Sequence, residues 1–236
     1  MIFKSFSTEG QDKFVSNLLG PCPSGDSSFG KRGYFLDVGC RHPVYCNNTF
    51  ALEEELEWGG LLFDINVGPS YRRWMRRRPH SKIYKVDVES ERFLHILKAE
   101  SLPCVDYVSI DVEGASLQAL CNLLDAGIQF KVMTIEHNSY LDGINKTGQK
   151  GHRQIMRRLL FSEGYHLLFG DVLLGRKGGR SKLFHRKDGS RWRKPVGKPF
   201  EDWWVHPNFF NEKVLNKGGS NLYWEECTKR VSDLGI

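Results

Sequence analysis

Five short apolar runs in this chain each close on or near an acid. Asp37, Asp64, Asp87, Asp111 and Glu136 are therefore the side chains best placed to do chemistry. In an open α/β sheet, ligands bind beyond the carboxyl ends of the strands, near the point where the strand order reverses. A rim with an acid at every strand end repels phosphate and suits a ligand that carries cationic charge and ribose hydroxyls. Gly39, just past the first run, lets the backbone approach such a ligand closely. Asp64 is placed to accept both hydroxyls of a ribose. S-Adenosylmethionine has a sulfonium, an ammonium and a ribose but no phosphate, and it meets this description. A nicotinamide dinucleotide does not, because its pyrophosphate needs Gly-x-Gly-x-x-Gly at a helix start, and no glycine follows Gly39 until Gly59.

The elements that must position these acids follow from periodicity. Strands are expected over 34–38, 61–64, 83–88, 105–111 and 132–136, and helical patterns over 48–57, 69–78, 91–100, 116–126 and 152–163 fill the gaps. Strands alternating with helices of this length predict a parallel sheet with crossover helices, a doubly wound α/β fold of the Rossmann kind. Two further strands are expected over 165–169 and 202–206. A helix is expected over 10–19, a Pro/Gly/Ser linker over 20–30 and a docked helix over 221–234. The chain reads as one domain, 1–236, with a core over 33–207, a basic insertion over 175–198 and a helical tail over 208–236.

Composition narrows the class. The chain has 236 residues, 40% hydrophobic and 26% charged, with a mean hydropathy of -0.44. These values describe an ordinary globular protein rather than a disordered, collagenous or membrane-spanning one. No run approaches the roughly eighteen apolar residues of a spanning helix, and residues 1–9 lack a signal peptide's apolar block, so a cytoplasmic address is expected. Six cysteines with no Cys-x-x-Cys pair suggest reduced thiols rather than a disulfide framework or a zinc site. Between Arg176 and Lys198 stand ten Lys/Arg against the single acid Asp188, which makes the net charge of +6 a local property of the insertion. Such a segment is a solvated loop or a dock for an anionic acceptor. The cluster Arg72, Arg73, Arg76, Arg77 and Arg78 reads as a solvated helix face.

A resemblance adds to this reading. Gly10-Gln11-Asp12-Lys13-Phe14-Val15, Gly33-Tyr34-Phe35-Leu36-Asp37-Val38-Gly39, Asn47-Asn48-Thr49-Phe50, Trp58-Gly59-Gly60-Leu61-Leu62-Phe63-Asp64, the run from Val105 through Ile110-Asp111-Val112-Glu113-Gly114, and Thr134-Ile135-Glu136-His137-Asn138 follow one another in order. Together they resemble the successive motifs of FkbM-type S-adenosylmethionine-dependent methyltransferases, over about residues 5 to 207. The resemblance implies a class I methyltransferase sheet, usually of seven strands with the last antiparallel. It implies O-methylation of a hydroxyl on a sugar, glycan or other small acceptor. It also implies cofactor contacts from Asp37, Gly39, Asn48, Thr49, Asp64, Asp87 and Asp111, with Asp111 and Glu113 beside the methyl group. Cys40-Arg41-His42-Pro43 departs from the family, in which many members have a small residue and a second glycine.

Methylating a hydroxyl requires that its proton be removed or its pKa lowered while oxygen, methyl and sulfur align. Residues two apart in an extended segment face the same way. Asp111 with Glu113, and Glu136 with Asn138, would then offer oxygen-bearing pairs on neighbouring strand ends, a donor set for magnesium or calcium. His137 is the competing candidate, a general base whose ordinary pKa of about 6.5 lies near working pH. Asp111 is common to both mechanisms.

Nucleic-acid methylation is the rival enzyme class, supported by the basic insertion with its Phe184 and Trp192. Against it, the Asp/Asn-Pro-Pro-aromatic motif is missing, and Pro103-Cys104 falls at the wrong end of the fourth strand. Glu136-His137 also stands where ribose methyltransferases of this fold place a Lys. A methyltransferase fold kept only for binding is the non-enzymatic alternative.

Overall fold

The protein is described by a computed structural model. It covers residues 3–20, 33–68, 71–102, 104–137, 139, 152–175 and 196–234, and the backbone of 183–185 and 191–193. The expected linker, Asn138, residues 140–151 and most of the basic insertion lie outside the described residues.

Along the chain come α1 (Gln11–Leu19), β1 (Tyr34–Val38), α2 (Phe50–Leu56), β2 (Gly59–Asp64), α3 (Tyr71–Met75), β3 (Ser81–Lys85), α4 (Glu91–Ala99) and β4 (Cys104–Ile110). There follow α5 (Ser116–Asp125), β5 (Gln129–Glu136), α6 (His152–Ser162), β6 (His166–Leu173), β7 (Leu183–His185), β8 (Arg191–Arg193), β9 (Pro199–Val205), α7 (Glu212–Leu215), β10 (Gly219–Ser220) and α8 (Trp224–Ser232). Eight strands join one sheet in the order β10-β6-β9-β5-β4-β1-β2-β3, and β7 pairs with β8 in a separate hairpin. Strand β9 runs antiparallel to both β5 and β6, while the pairings from β5 to β3 are all parallel. The expected doubly wound α/β class is the observed one.

The central strands are mostly apolar because both faces of the sheet are covered. Alternate residues feed two separate cores. Leu36, Val38, Leu61, Phe63, Val108 and Ile110 meet Phe93 and Leu97 of α4, Leu120 and Leu123 of α5, and Met156 and Leu160 of α6. Their neighbours Phe35, Leu62 and Tyr107 point the other way, onto Phe14, Val15 and Leu18 of α1, Leu52 of α2, and Cys227 and Val231 of α8. Trp203 of β9 anchors this second core, with its ring stacked on Phe14 at 4.3 Å between centroids. Each such aromatic contributes about 1.5–3 kcal/mol by leaving water.

Three details differ from the sequence reading. The eighth strand, β10, is two residues pairing with Phe169 and Gly170, too short to leave a period-2 signal. Helix α3 ends at Met75 rather than at residue 78, because the chain tightens there, with Arg77 N–H donating to the Trp74 carbonyl and Arg78 N–H to the Met75 carbonyl. Strand β3 lies at 81–85 rather than 83–88, because its ladder with β2 ends where Val86 N–H donates to the Asp64 carbonyl.

Candidate active site

The order of the strands reverses between β1 and β4: after β1 the chain builds outward through β2 and β3, then returns to β1's other side. Two hydrogen bonds set the geometry of that switch point. Gly39 N–H donates to the Phe63 carbonyl at 2.8 Å, and Asp111 N–H donates to the Val38 carbonyl at 2.9 Å. Gly39 has φ +90°, and a β-carbon there would stand 2.1 Å from the carbonyl oxygen of Asp111. Only glycine fits, so its place in the sequence has a steric cause.

Above this point opens a cleft of about 750 Å³, lined among others by Asp37, Gly39, Asn48, Asp64, Asp87, Asp111 and Glu113. Acids from four different strand ends therefore share one space. Thr49, Glu136 and His137 do not line it, and Asn138 lies outside the described residues.

Asp37 is almost wholly enclosed, with 1% exposure. Its Oδ2 accepts from Asn47 Nδ2 at 2.8 Å and from Thr49 Oγ1 at 2.9 Å. Burial pushes its pKa up from 3.8 to about 6, with the charge of Asp111 acting the same way and Arg78, Thr49 and Asn47 resisting. Thr49 thus belongs beneath the cleft wall, as a support for Asp37 rather than a surface for a ligand.

Asp64 stands at the end of β2 with both oxygens oriented by backbone amides: Arg41 N–H donates to Oδ2 and Asn66 N–H to Oδ1, each at 2.7 Å. Each oxygen keeps a lone pair for a further donor. The Tyr71 hydroxyl donates to the Arg41 carbonyl and ties α3 to the loop after β1. Asp87 lies two residues past β3, exposed, with Oδ1 accepting from Glu89 N–H at 2.9 Å.

The end of β4 departs from the expected geometry. The strand stops at Ile110, and Glu113 takes a left-handed φ of 48° at the start of a 3-10 turn, so the rule for residues two apart in extended chain does not apply there. Asp111 and Glu113 are both exposed and still share the cleft. Glu136, in contrast, is 5% exposed, and its Oε2 accepts from Glu113 N–H at 3.1 Å.

His137 also differs from its expected place. Its side chain has no exposed surface. Nδ1 accepts from Ser139 N–H at 3.2 Å, while Nε2 lies 3.5 Å from Asp202 and 3.6 Å from Asp171. A ring enclosed in this way is not presented to an acceptor in the cleft, and it does not stand as a base there. Arg157 binds Asp202 through two bonds of 2.7 and 2.8 Å, and Arg153 meets Asp171 at 2.6 Å. Burial works against the Asp202 charge, yet Arg157 and His137 hold its pKa down at about 2.

Among the described residues, His137, Asp171 and Asp202 form the one cluster whose ligand atoms are close enough for a cation. Two guanidinium groups already neutralise its two carboxylates, so it does not fit a metal. The expected donor set of Asp111, Glu136 and Asn138 is not gathered by the described residues either, since Asp111 faces the cleft while Glu136 is buried against a backbone amide.

Sequence reasoning missed Asn47, Glu53, Arg78 and Glu201. Arg78 stood in a run of arginines whose other members Arg72, Arg73, Arg76 and Arg77 are exposed, and nothing in the spacing set it apart. Glu201 faces Glu136 across the β5–β9 ladder and accepts from Trp203 Nε1 at 2.6 Å and Gln11 Nε2 at 3.2 Å. Burial pushes its carboxyl well above the ordinary range.

The site and fold together define an open α/β sheet with an acid-lined cleft at its topological switch. No family model matches the chain and no curated protein matches it. Solved structures do. Fibrillarin from Aeropyrum pernix, in complex with S-adenosyl-L-methionine, is 13% identical, with a TM-score of 0.37, over 74% of this chain and 66% of that one. Precorrin-6y C5,15-methyltransferase from Geobacter metallireducens GS-15 is 11% identical, with a TM-score of 0.44, over 86% of this chain and 90% of that one. At such values neither likeness carries a function across. Among the described residues no helix is long and apolar enough to cross a membrane.

Proposed function

We propose that this protein is an S-adenosylmethionine-dependent O-methyltransferase of the FkbM type, acting on a hydroxyl of a sugar, glycan or other small acceptor. The observation that carries the reading is the single cleft that collects Asp37, Gly39, Asp64, Asp87 and Asp111 at the switch point. The chemistry of this donor set fits the cofactor: acids for a cation and for hydroxyls, and a glycine whose missing β-carbon leaves β1 and β4 in contact. When bound, the cofactor supplies a methyl group on a sulfonium sulfur.

The chain's own residues do the rest. Asp37 receives the ammonium of the amino-acid end, with Asn48 beside it in the cleft wall. Asp64, its oxygens already aimed by two amides, accepts from the ribose hydroxyls. Asp87 stands at the base end. Asp111, exposed at the end of β4, orients the acceptor hydroxyl and takes its proton, and Glu113 shares that side of the cleft. A positioned base of this kind contributes about 10²–10⁴ in rate. No step is assigned to a metal ion, because Asp111 and Glu136 do not form a joint site among the described residues.

The basic insertion supports an anionic acceptor. Because β9 is antiparallel to both neighbours, β6 runs parallel to β5. The segment between β6 and β9, which carries the ten Lys/Arg, therefore leaves the sheet at the end where the cleft lies. Calorimetry with S-adenosylhomocysteine, followed by labelled methyl transfer to a panel of neutral and phosphorylated sugars, tests the reading. Absence of S-adenosylhomocysteine binding would overturn it, and transfer to RNA alone would move the acceptor to nucleic acid.

A further inference from the structure

Arg78 follows α3, and its guanidinium makes four hydrogen bonds with only 1% of the residue exposed. Nε donates to Glu53 Oε2 at 2.6 Å, Nη1 to the Pro43 carbonyl at 2.8 Å and to Asn47 Oδ1 at 3.0 Å, and Nη2 to Thr49 Oγ1 at 2.9 Å. Glu53 is fixed in turn: its Oε1 accepts from His80 N–H at 2.7 Å and its Oε2 from the Ser81 hydroxyl at 2.5 Å. The guanidinium is thus fastened to α2 and to the start of β3, and it spans the loop that follows β1.

Two of its acceptors are the residues that hold Asp37. An arginine can only donate, so Asn47 must turn Oδ1 toward it, which leaves Nδ2 to donate to Asp37. Thr49 Oγ1 likewise accepts from Arg78, and its single hydrogen faces Asp37 Oδ2 at 2.9 Å, with Asn47 Oδ1 the more distant acceptor at 3.1 Å. The arginine thus sets the polarity of both contacts to Oδ2, at Asn47 together with the Thr49 N–H, which also donates to Asn47 Oδ1 at 3.0 Å. No other hydrogen bond among the described residues falls on the second oxygen, Oδ1.

We propose that Arg78, anchored by Glu53, is a positioning residue. Through Asn47 and Thr49 it fixes Asp37 as the receptor for the cationic amino-acid end of the methyl donor. The inference rests on the function proposed above. It assigns to this pair a task that the run of arginines conceals, and it explains why so costly a buried charge is kept next to an acid-lined cleft.

Paired titration calorimetry of the full chain with S-adenosylhomocysteine and with 5′-methylthioadenosine, which lacks the amino-acid group, tests this. Thr49→Val keeps the volume and the Arg78–Glu53 pair but removes the hydroxyl between Arg78 and Asp37. Arg78→Lys keeps the charge but not the fork. Both variants are expected to bind S-adenosylhomocysteine about tenfold more weakly or worse, the scale of a lost hydrogen bond to a charged group. Both should bind 5′-methylthioadenosine within about twofold of the unsubstituted chain. Thr49→Val serves if Arg78→Lys does not fold. Equal weakening toward both compounds, or unchanged affinity for S-adenosylhomocysteine, overturns the role given to Arg78. Failure of the unsubstituted chain to bind either compound is a different result, which removes the methyl-donor reading and the inference with it.

Discussion

Gly39 and Asp111 press against each other at the ends of β1 and β4, so closely that a β-carbon on Gly39 would lie 2.1 Å from the Asp111 carbonyl oxygen. Gly39→Ala must therefore part the two strand ends or distort a backbone already at φ +90°. The expected cost is about 2–4 kcal/mol of stability, from strain and overpacking together. Chemical denaturation measures that cost, and calorimetry should show S-adenosylhomocysteine affinity reduced by at least about tenfold. A variant that binds and unfolds like the parent would remove the steric argument.

The pKa of Asp37 sets a pH dependence with a definite sign. Its folded-state value, about 6 against 3.8, is raised. Across that window the unfolded chain has lost its proton while the folded chain keeps it. Stability from this group is therefore complete below pH 3.8 and falls as the pH rises toward 6, by on the order of 3 kcal/mol. Cofactor affinity runs the other way, because the carboxylate is the form that attracts an ammonium. Binding of S-adenosylhomocysteine should strengthen as the pH rises through about 6 and level off beyond it, as judged by calorimetry between pH 5 and 8. A flat profile would show that Asp37 does not meet the charged end.

Asp111→Asn keeps the size of the side chain and removes its basicity. Methyl transfer should drop by about 10²–10⁴, with S-adenosylhomocysteine affinity within a few-fold of the parent. Equal losses in both would assign Asp111 to cofactor binding. Added chelator should leave transfer by the parent unchanged, since Asp111 lines the cleft and Glu136 does not.

Asp202→Ala breaks a buried pair and leaves the Arg157 guanidinium and the Asp171 amide without their shared acceptor. A destabilisation of about 3–5 kcal/mol is expected from urea denaturation. Arg153→Ala, at a side chain 26% exposed, should cost under about 1 kcal/mol. The contribution of Asp202 is present above pH 3.8 and is lost as the pH falls toward about 2.

The strands were legible because their apolar runs answer to burial on both faces, and their acids because they end those runs. Asp37, Gly39, Asp64 and Asp111 could be read in this way, and so could the order of elements through α6. His137 could not be placed, because adjacency to Glu136 in sequence says nothing about which face of the strand end a ring enters. The pairing of Asp111 with Glu113 departs for a related reason: a left-handed φ at Glu113 breaks the extended spacing on which it was built.

What the sequence determined by itself is the doubly wound plan and the row of acids along its carboxyl edge, since periodicity and strand-end chemistry are local properties of the chain. Tertiary structure alone decided that one arginine of five is buried beneath the site, that Asn47 and Thr49 offer their hydrogens to Asp37, and that His137 is closed in by Asp171 and Asp202. These are contacts between residues up to 65 positions apart, as with His137 and Asp202. Their geometry depends on how helices and loops pack on the finished sheet, which no local pattern encodes.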